Sequence, residues 1–154
     1  MQKQLKVFYQ LHRAHSALFR AADKMLRSEF DLTPTQQAIL FLLLEKNAQP
    51  ITSLAAQLNM GKSSLTGLVD RMSEKGLVRR DSENDDGRII LIRITQKGRD
   101  LAENSLGKTK AANRYLLRSF SDEEQHIIAR FLNHISDEAE TALSQISNER
   151  QDHE

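Results

Sequence analysis

At 154 residues, with 28% charged side chains and a formal net charge of +1, the chain is about one domain's worth of sequence and can bury a sizeable core. No apolar run reaches the roughly 18 residues that span a bilayer, and MQKQLKVFYQLHRAHS at the N-terminus holds no continuous apolar stretch of the signal-peptide kind. The absence of cysteine excludes disulfides, thiol catalysis and sensing by thiol oxidation, and it fits a cytoplasmic location.

Residues 5–30 contain neither Pro nor Gly, and Phe8, Leu11, His15, Leu18, Phe19, Ala22, Met25 and Leu26 recur three and four apart. This spacing predicts a long helix whose broad apolar face packs against another subunit as well as its own core. Residues 31–37 reset the chain: Thr33 is a good N-cap, Pro34 suits the first helical position and Gln36 can complete a capping box. The helix they start runs to about Lys46 and buries Ile39, Leu40, Leu42 and Leu43, with Phe41 a further candidate. Residues 47–50 read as a turn, and Ile51 is a candidate for a short third strand.

The next segment carries the densest pattern. Thr52 can cap a short helix with Leu54, Ala55 and Leu58 on one face, and Asn59, Met60 and Gly61 form a turn. Lys62 begins a second helix in which Leu65, Leu68, Val69 and Met72 make an apolar stripe, and Gly76 closes it in the left-handed conformation. The opposite face holds Lys62, Ser63, Ser64, Thr66, Gly67, Asp70 and Arg71. Short hydrogen-bonding groups beside two cations suit the major groove of DNA, where base edges offer donors and acceptors to a helix. The period then changes: Leu77 and Val78 start one strand, and residues 89–94, with Ile90, Ile92 and Ile94 on one face, make another. Between them Ser82, Glu83, Asn84, Asp85, Asp86, Gly87 and Arg88 form an exposed hairpin tip.

Residues 96–119 read as a helix weakened locally by Gly98 and Gly107, the latter marking a bend or a close helix contact. Ser121 and Glu124 form a capping box for the last helix, along which Ile128, Phe131, Ile135, Ala139, Ala142 and Ile146 recur, joined by Ile127, Leu132 and Leu143. That stripe is too apolar for a lone surface helix. Residues 148–154 form a polar tail expected to fray. Charge is uneven: residues 62–99 carry nine bases and six acids, whereas residues 119–154 carry two bases and nine acids. Phosphate attraction would use the first of these, although charge of this kind also serves simply to solvate a helix face. No Gly-rich phosphate loop, His-Glu-x-x-His or Ser, His and carboxylate signature is present, so no enzyme chemistry and no cofactor are expected. His126 and His134 lack an acidic or cysteine partner that would complete a metal set, and no metal is expected.

Leu54-Ala55, Ser64-Leu65-Thr66-Gly67-Leu68-Val69-Asp70-Arg71-Met72, Gly76-Leu77-Val78-Arg79-Arg80, Asp86-Gly87-Arg88 and Ile94-Thr95-Gln96-Lys97-Gly98-Arg99 together resemble the winged-helix region of the MarR family of bacterial transcriptional regulators. The resemblance implies a mainly α fold with a small β-wing. In this layout residues 31–99 form the winged helix-turn-helix, and residues 1–30 with 100–147 form dimerisation helices that interlock between two chains. A homodimer of this kind would present two reading helices to a pseudo-palindromic operator on double-stranded DNA, with half-site centres roughly 34–36 Å apart. Ser63, Ser64, Thr66 and Arg71 are then the base-reading candidates and Lys62 a phosphate contact. Gly67 allows close backbone approach while giving up one base contact. Arg88 would enter a narrow minor groove, and Asp86 would hold Arg88 or Arg80 in place. Arg80 is a further phosphate candidate, and Thr52 is either another or only a cap. The resemblance also implies a repressor relieved by a small aromatic or phenolic anion bound near His12, His15, Phe19 and the second helix. Two alternatives stand beside it: a winged-helix protein-interaction module without DNA reading, and a DNA-binding regulator with no effector.

Overall fold

The computed structural model describes residues 5–82 and 90–149. Among these are six helices and three strands, in the order α1 (Val7–Phe30), α2 (Pro34–Glu45), β1 (Gln49–Pro50), α3 (Ile51–Gln57), α4 (Lys62–Glu74), β2 (Val78–Ser82), β3 (Ile90–Ile94), α5 (Gln96–Leu117) and α6 (Asp122–Glu149). The chain divides into two compact units at Lys108 and Thr109. No helix among the described residues is long and apolar enough to cross a membrane.

Local signals place most boundaries. The Gln36 N–H donates to Thr33 Oγ1 at 3.2 Å and the Thr33 N–H donates to Gln36 Oε1 at 3.0 Å, so the expected capping box starts α2, with Pro34 next to it. Ser121 and Glu124 make the same reciprocal pair before α6, at 2.8 and 3.3 Å. The end of α4 is a Schellman turn: Gly76 has φ of 70°, its N–H donates to the Ser73 carbonyl, and the Leu77 N–H donates to that of Met72, both at 2.9 Å.

Four expectations need correction. Thr52 is not a cap: α3 begins one residue earlier, after Pro50, and no side chain caps it. The third strand is Gln49–Pro50 rather than Ile51, and it lies within the segment read as a turn. Helix α6 continues to Glu149, through the first two residues of the expected fray, the remainder of which lies outside the described residues. Finally, the close contact belongs to Gly98 rather than Gly107, around which there is open space.

The three strands form one antiparallel sheet in the order β1-β3-β2. Gln49 pairs with Ile92, Val78 with Ile94, and Arg80 with Ile92. Successive strand residues alternate faces, so Val78 and Arg80 share a face with Ile90, Ile92 and Ile94. Ile92 and Ile94 on this face are buried, but Ile90 is 41% exposed, where the face runs out past the core. The core beneath joins Leu26 and Leu32 with Ile39, Leu40 and Leu43 of α2, Leu54 of α3, Leu65, Val69 and Met72 of α4, and Ala102 of α5.

Polar side chains finish what the backbone leaves open. Gln49 is buried; its Nε2 donates to the Leu42 and Lys46 carbonyls, each at 2.9 Å, while its Oε1 accepts from Gln57 Nε2 at 2.8 Å. One side chain therefore satisfies the end of α2 and ties it to α3. Asn47 Oδ1 accepts from the Ile94 N–H at 3.1 Å and anchors the end of β3. The apolar stripes of α1 and α6 remain uncovered in the single chain: Phe8, Leu18 and Phe19 on α1, and Ile127, Leu132 and Leu143 on α6, are exposed. The Ile146 side chain, expected to continue that stripe, lies outside the described residues.

A Cβ at Gly98 would fall well inside contact distance of the Leu77 carbonyl oxygen and 3.0 Å from Ile94 Cγ1. Gly98→Ala is expected to cost about 1–3 kcal/mol or more. Gly107→Ala, in open space on the same helix, should gain roughly 0.5–1 kcal/mol from helix propensity. Denaturant midpoints of the two variants check this, and equal shifts would contradict it.

Candidate nucleic-acid interface

Helix α4 offers its exposed face because Leu65, Leu68, Val69 and Met72 bury the other one. Its N-cap is Gly61, which brings no side chain, so no side-chain cap occupies the first-turn amides. Uncapped amides at a helix start attract anions. Lys62 and Ser63 stand exposed there. Thr66, one turn on, is half-buried and donates its hydroxyl to the Lys62 carbonyl at 2.8 Å, leaving its oxygen as an acceptor.

Strand parity brings a second cation to the same place. Arg80 sits on the inner face of β2, so its stem runs toward α4 and its guanidinium emerges at the margin of the sheet. There Arg80 Nη2 donates to Asp70 Oδ1 at 2.6 Å and lies 3.5 Å from the Thr66 carbonyl. Asp70 is thus a carboxylate that holds Arg80 in place. Asp86 and Arg88 lie outside the described residues.

Thr52, Lys62, Thr66 and Arg80 line one open hollow of about 320 Å³, together with Pro50, Ile51 and Ile90. Three elements, α3, α4 and β2, therefore deliver four of the expected DNA-binding residues to one concavity. Two cations and the Thr52 hydroxyl in such a hollow can hold a phosphate oxygen. Behind it Arg93 Nε donates to Asp81 Oδ2 at 2.6 Å and Arg79 Nη2 lies 3.3 Å from the same atom. Arg79 and Arg93 are directly opposed across the ladder, and Asp81 relieves their repulsion.

Ser64 and Arg71 go elsewhere. They line a separate cleft of about 550 Å³ with Phe19, Asp23 and Arg27 of α1, Thr33, Pro34 and Thr35 at the start of α2, and Met60 and Leu68. Gly67 is half-buried, and a Cβ there would meet Arg71 Nη1 at an ordinary 3.7 Å. Of the three residues expected at an effector site, only Phe19 lines this cleft. His15 stacks on Phe19 with ring centroids 4.2 Å apart, and His12 is exposed. The Arg27 guanidinium donates to Asp23 at 2.7 Å, which raises its already high pKa further. Nothing local in the sequence announces the Asp23, Arg27 and Arg71 grouping, because it joins helices distant in the chain. Among the described residues no group of three His, Cys, Asp or Glu could hold a metal ion.

Comparison with known proteins agrees with this geometry. Residues 32–90 match the model of the MarR family. The chain is 28% identical over 134 residues to the HTH-type transcriptional regulator MhqR of Bacillus subtilis, covering 87% of this chain and 92% of that protein. Among solved structures, a MarR-family transcriptional regulator from Rhodococcus sp. RHA1 is 26% identical, with a TM-score of 0.75 over 86% of this chain and 96% of its own. An organohalide-sensing transcriptional regulator in its 2,4-dichlorophenol-bound form shares the fold, with a TM-score of 0.76 at 18% identity over 89% of this chain and 86% of that one.

If Asp70 orients Arg80, Asp70→Asn should weaken binding of duplex DNA about two- to tenfold although a negative charge has been removed. Fluorescence anisotropy on a labelled duplex measures this, and tighter binding by the variant would contradict the orienting role.

Proposed function

The chain belongs to the MarR family of winged-helix, HTH-type transcriptional regulators, a family of non-enzymatic DNA-binding proteins, and from that premise we propose that it is a homodimeric repressor of a pseudo-palindromic operator, released by a small aromatic anion. One observation carries the DNA-reading part: Thr52, Lys62, Thr66 and Arg80 converge from three elements on one hollow at the start of α4. In this reading α4 enters the major groove with Ser63 and Thr66 toward base edges. Lys62, Arg80 and Thr52 take phosphates, and Arg88, with Asp86, extends the contact into the minor groove.

Dimerisation is supported by the uncovered apolar stripes. Phe8 at 74% and Leu18 at 50% exposure on α1, with Ile127 at 53% on α6, are larger apolar side chains than a monomer leaves in rows without reason. A second copy would cover them and space two reading helices at roughly 34–36 Å. A dimer seated across promoter DNA excludes other proteins from it, which makes repression the simplest outcome.

The cleft beside α1 supports the effector part. Phe19 offers a ring face, Arg27 and Arg71 offer positive charge, and Ser64 and Arg71 belong to the reading helix itself. A phenolate there would draw on the same cations and shift the helix that reads DNA. The likeness to a regulator in its 2,4-dichlorophenol-bound form is consistent with this class of ligand.

Binding to the DNA upstream of its own coding region, measured from about 50 to 200 mM salt, should fall with a log–log slope near −0.9 per neutralised phosphate. Arg80→Ala should reduce that slope by about one. Salt-insensitive binding would refute DNA reading and favour a protein partner instead. Added 2,4-dichlorophenol should lower DNA affinity in the wild type, and Phe19→Ala, in preparations verified to keep the wild-type oligomeric state because Phe19 also lies on the exposed stripe of α1, should abolish the response. A response unchanged in Phe19→Ala would remove the cleft from the effector role.

A further inference from the structure

The C-terminal end of α4 lies away from the hollow that holds Thr52, Lys62, Thr66 and Arg80, yet it is tied to the neighbouring helices by charge-assisted bonds. Lys75 is the C-cap of α4. Its Nζ donates to the Asp31 carbonyl at 2.7 Å and to Asp31 Oδ2 at 2.8 Å, reaching across 44 positions of sequence. Asp31 is the C-cap of α1, in the left-handed conformation with φ of 51°, so its carbonyl points outward where α1 stops. The carbonyl of Lys75 in turn accepts from Lys97 Nζ, in the first turn of α5, at 2.7 Å.

We propose that Lys75 is a positioning residue for DNA reading: its side chain fixes the end of α4 to the turn after α1, its carbonyl fixes the same end to α5, and together they set the pose of the reading helix. The inference rests on the reading of α4 as the DNA-contacting helix. The ammonium is partly buried, with 36% of the side chain exposed, and its bond to the Asp31 carbonyl does not depend on the more exposed carboxylate. Lys75 also holds the Asp31 carboxyl below its ordinary range, first by hydrogen bonding and then by charge.

The test uses the full chain and two duplexes, one enriched by the wild-type protein from a random-sequence pool and one of the same composition shuffled. A phosphate-contacting lysine would support both and contribute about one to the salt slope, whereas a positioning lysine supports only the enriched sequence. Lys75→Met should lower affinity for the enriched duplex about five- to tenfold. Affinity for the shuffled duplex should stay within about twofold of wild type, both salt slopes should be unchanged, and Lys75→Arg should restore binding. Asp31→Asn should cost only about twofold, since the carbonyl bond survives. It also serves as the second variant if Lys75→Met lowers the folded fraction, because Asn tolerates the left-handed backbone at that position. The double variant should bind no more weakly than Lys75→Met alone. Equal loss on both duplexes with a reduced slope, or no loss in any variant, would overturn the proposal. If Arg80→Ala and Lys62→Ala also change nothing on either duplex, the reading of α4 itself fails; if only the Lys75 and Asp31 variants are silent, this inference alone fails.

Discussion

What α4 can present depends on where its last turn stops, and that point is fixed around the carbonyl of Leu77. The Thr95 N–H donates to this oxygen at 3.1 Å. The Thr95 hydroxyl donates to the Gly76 carbonyl at 2.7 Å, with the Leu77 carbonyl 3.1 Å away, and accepts from the Gly98 N–H at 3.0 Å. Gly98 then lets the first turn of α5 lie directly on the same carbonyl. One threonine therefore ends a sheet strand, starts α5 and satisfies the carbonyls that the Schellman turn of α4 leaves exposed. With Leu77 and Val78 buried just beyond, the helix has little freedom to rotate about its own axis without breaking core contacts.

From that fixed end the other features follow in order. The buried stripe of α4 sets which side chains face outward, and the parity of β2 sends Arg80 back along the sheet to meet Asp70. Gln49 holds α3 to the end of α2 through two backbone carbonyls and Gln57, so the turn before α4 is braced independently. The hollow is thus lined by a small set of polar groups displayed on a frame of short polar ties around a Leu- and Ile-rich core.

Local chemistry was legible in the sequence and distant chemistry was not. The boxes at Thr33 with Gln36 and Ser121 with Glu124, and the stop at Gly76, depend on residues within a few positions of one another, and with apolar periodicity they mark α1, α4 and α6. Thr52 has the residue type of a cap but sits in the first turn, because Pro50 has already turned the chain. Gly98 and Gly107 look alike in sequence and differ only in what packs over them. Asp70 with Arg80, Lys75 with Asp31, and the α1 residues that share a cleft with Arg71 are brought together by tertiary packing across 10 to 44 or more positions. No local rule pairs them.

The proposed function sets DNA against the face formed by the starts of α3 and α4 and by Arg80 of β2. The most direct measurement is photochemical cross-linking of the full chain to an enriched duplex, with the cross-linked peptides identified by mass spectrometry. Cross-links concentrated on the peptides that carry Thr52, Lys62 to Thr66 and Arg80 are the predicted result. Cross-links confined to α6, or to the exposed apolar face of α1, would contradict the account.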